Sequence, residues 1–372
     1  MKKKTANKKI LKRLWLLLCL PVAFLLTFAA MKSDKFAQWY ATTVYPILSR
    51  AVNFITSLVP ISVAEILIIL LILGILFYVI LYIRKIIKEK GSRKSNLFKF
   101  FLNLACAISV IGLAYVLTCG INYYRYSFAQ VSGLTVKGSS KSELNALCSE
   151  LAEKTSSLRA KVKTDKNGVM KLSSANIYET AAQAKDAYSK MEALYPTLKS
   201  GYGAPKPVLC SKLMSYGNIT GIFVPFTFEA NINTDVPAYS IPASMCHELS
   251  HLRGYMREDE ANFIAYLTCE RSGNPDFEYS GDMLAFVLAN NALFGVDQTA
   301  GSKNYSRLSD GVKHDFEANN TYWKQFEGPV AKVSQKVNDS YLKANSQDDG
   351  IKSYGRMVDL LLADYRKRHN LK

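Results

Sequence analysis

A short segment near the middle of the chain holds residue types and spacings suited to binding a metal ion. Residues 246–251 read Cys-His-Glu-Leu-Ser-His. On an α-helix, residues four apart lie on one face, about 6 Å apart along the axis, so the His247 and His251 imidazoles converge on one point. Imidazole nitrogens bind Zn²⁺ at about 2.0–2.1 Å, and Glu248 would be close enough to take a proton from a water molecule on that ion. The segment therefore predicts a zinc site with Glu248 as general base.

The small number of histidines makes this pattern informative. The chain has four, and two of them form it. His314 and His369 lie in strongly polar stretches and are expected at the surface. The alternative is a helix in which His247 and His251 are ordinary surface or core residues. That alternative is weaker because a candidate third ligand follows within a few residues.

Charge and cysteine content narrow the classes of protein that fit. The chain of 372 residues carries a formal net charge of +17, much of it in short basic runs beside apolar segments. That distribution is typical of membrane topology, and the sequence has neither zinc-finger spacing nor an aromatic-basic RNA motif, so no nucleic-acid partner is expected. The seven cysteines lack CxxC spacing. The sequence leaves open whether a disulfide joins any of Cys148, Cys210, Cys246 and Cys269.

Three apolar runs predict a membrane anchor. They cover about residues 14–30, 61–83 and 101–121, and each approaches the roughly 20 residues that a bilayer core requires. Residues 1–121 are therefore predicted to form an anchor of three transmembrane helices in the lipid bilayer. Residues 122–372 are predicted to form a soluble domain that is mainly α-helical (α+β), with a small edge sheet.

Loop charges predict the orientation of a multi-pass protein in the cell membrane. Residues 1–13 and the 84–99 loop each hold seven Lys or Arg residues, whereas the 31–60 loop holds three. The positive-inside rule places the two basic segments in the cytoplasm and the domain after residue 121 on the extracytoplasmic side. The aromatic and apolar residues of the 31–60 loop fit an interfacial amphipathic segment, although an ordinary short loop fits equally well.

Helix signals recur through the soluble part. Ser140–Glu143 has the Ser-x-x-Glu pattern of a capping box. A second helix is expected to begin near Ser173 or Ser174, a later one to span Met283–Leu293, and a last one to span Tyr354–Tyr365.

The segments around the histidine pattern predict two helices joined by a tight turn. The first spans Ala243–Arg253, and Gly254 in a left-handed conformation ends it. The second spans Arg257–Leu267, with acidic residues in its first turn, where the helix dipole favours them.

Two extended stretches precede this helix pair. Pro207–Met214 is predicted to be a short strand, and Gly221–Asn231 a longer one that Pro225 confines to a sheet edge or a bulge. An edge strand beside the metal helix could bind an extended peptide by strand addition, which makes Phe223, Glu229 and Asn231 candidate substrate contacts. A plain core strand is an equally good interpretation.

The histidine pattern resembles that of the gluzincin peptidases, in which a Glu-x-x-Ala/Ser-Asp/Asn motif follows on a second helix. Here residues 258–262 read Glu-Asp-Glu-Ala-Asn. The resemblance implies that Glu258 is the third zinc ligand and that Asn262 orients a ligand histidine. The chain departs from gluzincins in spacing, because Glu258 follows His251 by only seven residues. The short Gly-containing turn is more similar to metzincins, but Arg257 stands where their histidine would be.

Three carboxylates compete for the third-ligand position: Glu258, Glu260 and Glu229. Glu258 and Asn262 are four residues apart and share one helix face, whereas Glu260 is rotated by roughly 200° from that face. If that face meets the zinc, Glu258 is the ligand and Glu260 turns toward solvent or Arg257.

A second resemblance covers nearly the whole chain. The three apolar runs, the segment 205–209 (Pro-Lys-Pro-Val-Leu), the segment 221–233, the histidine pattern and the segment 279–281 (Tyr-Ser-Gly) are similar to a bacterial family of membrane proteins described as a domain of unknown function. This resemblance implies the architecture and a zincin-like site but no substrate.

Together these observations predict a membrane-anchored zinc metallopeptidase with a zincin-like domain that hydrolyses peptide bonds in an unknown peptide or protein substrate. The oxyanion stabiliser is unassigned, with Tyr255, Tyr266 and Tyr279 as candidates that also fit structural roles. The alternative is a non-catalytic membrane sensor or cell-envelope scaffold that retains a zinc-binding helix pair.

Overall fold

The computed structural model describes residues 13–371. These residues divide into two units, and each unit is made of more than one segment of the chain. The first unit extends to Arg125, and the loop between the first two apolar helices is divided between the two units. Residues 1–12 of the basic N-terminal run lie outside the described residues. The first unit contains residues up to Leu48, Val63–Arg125 and Pro225–Thr227, and the second contains Ser49–Ser62, Tyr126–Val224 and the chain from Phe228 onward.

The first unit contains three helices that are long and apolar enough to cross a membrane, as predicted: Arg13–Lys32, Val63–Lys88 and Lys90–Thr118. The last two run further into the basic loop than predicted, because Lys and Arg are good helix formers and the loop has no proline to stop them. Their α-helical cores are α1 (Cys19–Lys32), α4 (Val63–Lys88) and α5 (Arg93–Thr118). The orientation of these helices in a bilayer stays a prediction.

The loop between the first two apolar helices is largely helical. It contains α2 (Asp34–Trp39), a π-helical turn at Tyr40–Val44 and α3 (Tyr45–Thr56). From Ser49 onward it belongs to the second unit, where the Asn53 side chain donates to the Phe228 carbonyl at 2.7 Å. This part of the loop is therefore built into the folded domain, and contact with a membrane interface stays a prediction.

The second unit is mainly helical, and its helix termini follow local sequence signals. The capping box is confirmed, because Ser140 Oγ accepts from the Glu143 N–H at 3.2 Å and Glu143 accepts from the Ser140 N–H at 2.9 Å. The helix expected to begin near Ser173 or Ser174 begins at Ile177, because the Asn176 side chain provides the N-cap. The helices that flank the site are α6 (Phe128–Ser132), α7 (Lys141–Arg159), α8 (Ile177–Leu194), α9 (Ser211–Tyr216), α10 (Ile241–Leu252) and α11 (Glu258–Glu270).

The later helices are longer or shifted relative to prediction. The helix expected at Met283 already begins at Pro275, which suits a first helical position after the Asn274 cap. Residues 279–282 thus lie inside that helix instead of preceding it. The last helix begins at Met357, after a 3₁₀ segment at Gly350–Arg356. In order these helices are α12 (Pro275–Val296), α13 (Gln298–Ser306), α14 (Asp310–Lys324), α15 (Pro329–Ala344) and α16 (Met357–Arg368).

A small sheet of three strands lies in the same unit, in the order β1-β3-β2. The strands are β1 (Lys206–Pro207), β2 (Gly221–Val224) and β3 (Glu229–Ile232), with β2 antiparallel and β1 parallel to β3. The predicted strand at residues 207–214 is wrong beyond Pro207, because residues 211–216, which include good helix formers, form α9. The predicted single stretch at residues 221–231 is two paired strands, and β2 is an edge strand of this sheet.

Candidate metal centre

The helix that carries the histidine pattern begins and ends where local chemistry dictates. Pro242 lies in the first turn of α10. At the other end Gly254 has φ 82°, and its N–H donates to the His251 carbonyl at 2.8 Å while the Tyr255 N–H donates to Ser250 at 3.2 Å. These two bonds form a Schellman motif and confirm the predicted end of the helix. The chain then enters α11 after only a few residues, which brings the two helices side by side.

Three side chains of types that can bind a metal ion meet between α10 and α11. The Nε2 atoms of His247 and His251 are 3.0 Å apart, and Glu258 Oε2 lies 3.1 Å and 3.6 Å from them. One ligand atom from each residue lies within 4.8 Å of the others, and this is the group of metal-ligating residues found within residues 13–371. The structure thus brings together the three residues expected to bind zinc.

Hydrogen bonds on the far side of each imidazole fix its orientation. His247 Nδ1 lies 2.8 Å from Asn262 Oδ1, and His251 Nδ1 lies 2.8 Å from the Tyr255 carbonyl oxygen. Both oxygens are acceptors, so each Nδ1 carries the proton and each Nε2 directs a lone pair toward Glu258 when the imidazole is neutral. Glu258 Oε2 itself is buried and has no hydrogen bond of ordinary geometry among the described residues. Two lone pairs and a carboxylate oxygen around one point form a donor set that fits a cation such as Zn²⁺.

The electrostatics of the cluster favour positive charge. Burial alone would raise the pKa of Glu258, but the two imidazoles hold it below its usual range. Burial alone would lower the pKa of His251, but the Glu258 carboxylate raises it to about 9. The same negative potential that attracts a proton to this point attracts a metal cation.

Glu248 lies next to this cluster and is enclosed by α10 and β2. Its side chain is almost fully buried, and burial raises its pKa above the usual value. The backbone N–H of Phe223 donates a hydrogen bond to its carboxylate. The carboxylate of Glu248 thus lies close enough to His247, His251 and Glu258 for their charges to affect its pKa.

The two competing carboxylates lie elsewhere. Glu260 Oε1 accepts from the Phe128 N–H at 2.8 Å and lies 3.0 Å from an Arg257 nitrogen, so it turns toward Arg257, but it is buried and does not reach solvent. Glu229 lies in the central strand β3 and pairs with Lys206 at 2.5 Å.

The three candidate substrate contacts lie on two different strands of the sheet. Asn231 is also buried in β3, where its Nδ2 donates to the Glu229 carbonyl at 3.1 Å, so neither Asn231 nor Glu229 has the exposure expected of a cleft residue. Phe223 lies on β2 with its ring 6.3 Å from the His251 ring. Phe223 therefore lies beside the histidine cluster.

The remaining sequence candidates have structural partners. The hydroxyl of Tyr255 lies 2.6 Å from Thr197 Oγ1, and that of Tyr279 donates to Asp315 at 2.7 Å. Tyr266 is buried in α11. All seven cysteines lie within the described residues and are free thiols. His314 and His369 are exposed, as expected.

Gln347 is a neighbour of the site that sequence patterns did not indicate. Its Oε1 accepts from the Glu258 N–H at 3.2 Å, and its Nε2 is buried without a hydrogen-bond partner among the described residues. It lies 89 residues beyond Glu258 in the chain, in a polar stretch after α15, where no local spacing links it to the histidine pattern.

The architecture defines a mostly helical protein with three candidate membrane helices, a small sheet and a buried His/Glu cluster. The chain belongs to the family described as "Protein of unknown function (DUF3810)", whose family model matches residues 40–362. Comparison with curated proteins and with solved structures finds no match.

Proposed function

We propose that this protein is a membrane-anchored, zinc-dependent metallopeptidase with a zincin-like domain. The observation that carries the proposal is the convergence of His247, His251 and Glu258 on one buried point, with Glu248 beside them. The three residues would hold Zn²⁺. Zinc in such a site supplies Lewis acidity, which polarises a carbonyl group and lowers the pKa of water.

The side chains of this protein would do the remaining work. Glu248 would take a proton from the attacking water and pass it to the leaving amine. Asn262 and the Tyr255 carbonyl would hold the histidine rings in the tautomer that binds metal through Nε2. The edge strand β2 would offer backbone groups to an extended peptide.

The ligand count supports catalysis over a purely structural zinc. Structural zinc sites usually have four protein ligands, whereas catalytic sites have three and leave one position open. The cluster among the described residues has three. The rival is a non-catalytic sensor or scaffold in which the same helix pair binds zinc.

One experiment separates these functions. Purified full-length protein in detergent is analysed for zinc, and cleavage of a fluorescence-quenched peptide library is measured for the wild type and Glu248→Gln. We expect about one zinc per chain in both, and hydrolysis that falls about 10²–10⁴-fold in the variant. Zinc without hydrolysis in the wild type would support the scaffold, and hydrolysis by Glu248→Gln at the wild-type rate would exclude Glu248 as the base.

The extracytoplasmic location of the domain has a direct test, because Cys210 is exposed in the second unit. In intact cells, a membrane-impermeant maleimide is expected to label Cys210. It should leave Gly91→Cys, in the basic 84–99 loop, unlabelled until the cells are lysed. The reverse pattern would place the domain in the cytoplasm.

A further inference from the structure

The edge strand β2 directs part of its backbone toward Glu248. The Asn233 N–H donates to the Thr220 carbonyl at 3.0 Å, just outside the strands. Hydrogen-bonded and non-bonded pairs alternate along an antiparallel ladder, so Ile222 and Val224 direct their amide groups toward β3. Gly221 and Phe223 direct theirs away from β3, and the Phe223 N–H meets the Glu248 carboxylate.

Gly221 provides the space that this carboxylate occupies. A Cβ atom at Gly221 would lie 2.6 Å from Glu248 Oε1, 2.8 Å from its Cγ and 3.0 Å from its Cδ. The backbone of Gly221 does not have a positive φ, so its conformation is open to other residues. A glycine is therefore required at position 221 because it has no side chain, and not because of its backbone conformation. The Phe223 side chain, two residues on, lies beside the His251 ring.

We propose that β2 is the positioning element of Glu248, with Gly221 supplying the space and the Phe223 N–H supplying the anchor. The consequence for catalysis rests on the proposed function, in which Glu248 is the base. A glutamate has several rotatable bonds, and a base acts efficiently only when its carboxylate is held within hydrogen-bond reach of its proton donor. Through these two contacts the edge strand β2 fixes the position of the Glu248 carboxylate on α10.

The positioning contact can be measured without zinc or substrate. Residue-resolved amide hydrogen exchange is recorded on the full-length protein in nanodiscs for the wild type, Glu248→Ala, Gly221→Ala and Gly295→Ala. Gly295 lies in α12, where a Cβ atom would enter open space, so it is a matched glycine control. The Ile222 amide, which faces β3, is an internal control.

We expect the Phe223 amide to exchange roughly 10–100-fold faster in Glu248→Ala and Gly221→Ala, since a hydrogen bond to a charged group is lost. The Ile222 amide in Glu248→Ala and both amides in Gly295→Ala should keep the wild-type rate. Equal exchange of Phe223 in the wild type and Glu248→Ala would overturn the proposal, even if Gly221→Ala misfolds.

Hydrolysis of the peptide library is measured in a separate assay. Gly221→Ala is expected to keep its zinc and lose hydrolysis of the peptide library, whereas Gly295→Ala keeps both. Full hydrolysis by Gly221→Ala would overturn the positioning role. If the wild type hydrolyses nothing, the proposed function fails while the exchange data still decide whether β2 holds Glu248.

Discussion

Two buried carboxylates in the second unit, Glu229 and Glu258, are neutralised in different ways. Glu229 is paired with the Lys206 ammonium at 2.5 Å, and Lys206 also donates to the Thr56 carbonyl at 2.6 Å. Glu258 instead faces two imidazole nitrogens whose rings already use their other nitrogen atoms. A buried charge requires compensation. The chain supplies the Lys206 side chain as the partner of Glu229, whereas the cation for Glu258 must be a proton or a metal ion.

The largest effect on zinc binding is expected when the Glu258 carboxylate is removed. Glu258→Ala should weaken zinc binding about as much as His251→Ala, by more than about 100-fold, because even the outer partners of metal ligands contribute about 10–100-fold. Chelator competition on the purified full-length protein measures it. Glu229→Gln is the control and should keep the wild-type affinity, and comparable zinc loss in both variants would remove the distinction between the two carboxylates.

Breaking the Glu229 pair should cost stability without affecting zinc. Lys206→Met leaves Glu229 buried without its cation, which typically destabilises by about 3–5 kcal/mol. At roughly 2–4 °C per kcal/mol, the melting temperature falls by about 6–20 °C. The double variant Lys206→Met/Glu229→Gln should recover much of this loss. An unchanged melting temperature in Lys206→Met would show that the pair does not stabilise the fold.

A smaller effect on zinc is expected from the partner of His247. Asn262→Ala removes the acceptor at 2.8 Å from Nδ1 and should lower zinc affinity about 10–100-fold. Asn262→Asp keeps an acceptor at that position and should restore most of the affinity. If the alanine and aspartate variants bind zinc equally, the contact does not orient the ligand.

The smallest effect on zinc is expected at Glu260, two residues from the ligand. Glu260→Ala should leave zinc affinity nearly unchanged, because its carboxylate faces the Phe128 N–H and Arg257. The variant should instead lose about 1–3 kcal/mol of stability by leaving a buried N–H unpaired. Loss of zinc here comparable to that of Glu258→Ala would contradict the orientation of α11.

The sequence by itself determined features that depend on neighbouring residues. The four-residue spacing of His247 and His251 places both on one helix face, and Gly254 ends that helix because its left-handed conformation closes a Schellman motif. The three apolar runs depend only on length and composition, so they too were predictable. The capping box at Ser140 belongs to the same class of local signal.

Local pattern was insufficient where several conformations have similar local preference. Residues 211–216 became a helix instead of a strand, and residues 221–231 became two paired strands instead of one. Short segments of this kind take their conformation from the elements that pack against them, and periodicity alone does not distinguish the outcomes.

The tertiary structure decided the matters that depend on distant residues. Three carboxylates were compatible with the third-ligand position, and only the packing of α11 on α10 brought Glu258 to the histidines. Glu229 instead pairs with Lys206, and Glu260 accepts a hydrogen bond from the Phe128 N–H. The contact of β2 with Glu248 and that of Gln347 with Glu258 join segments far apart in the chain. No spacing in the sequence encodes such contacts, because they arise only when the folded elements pack together.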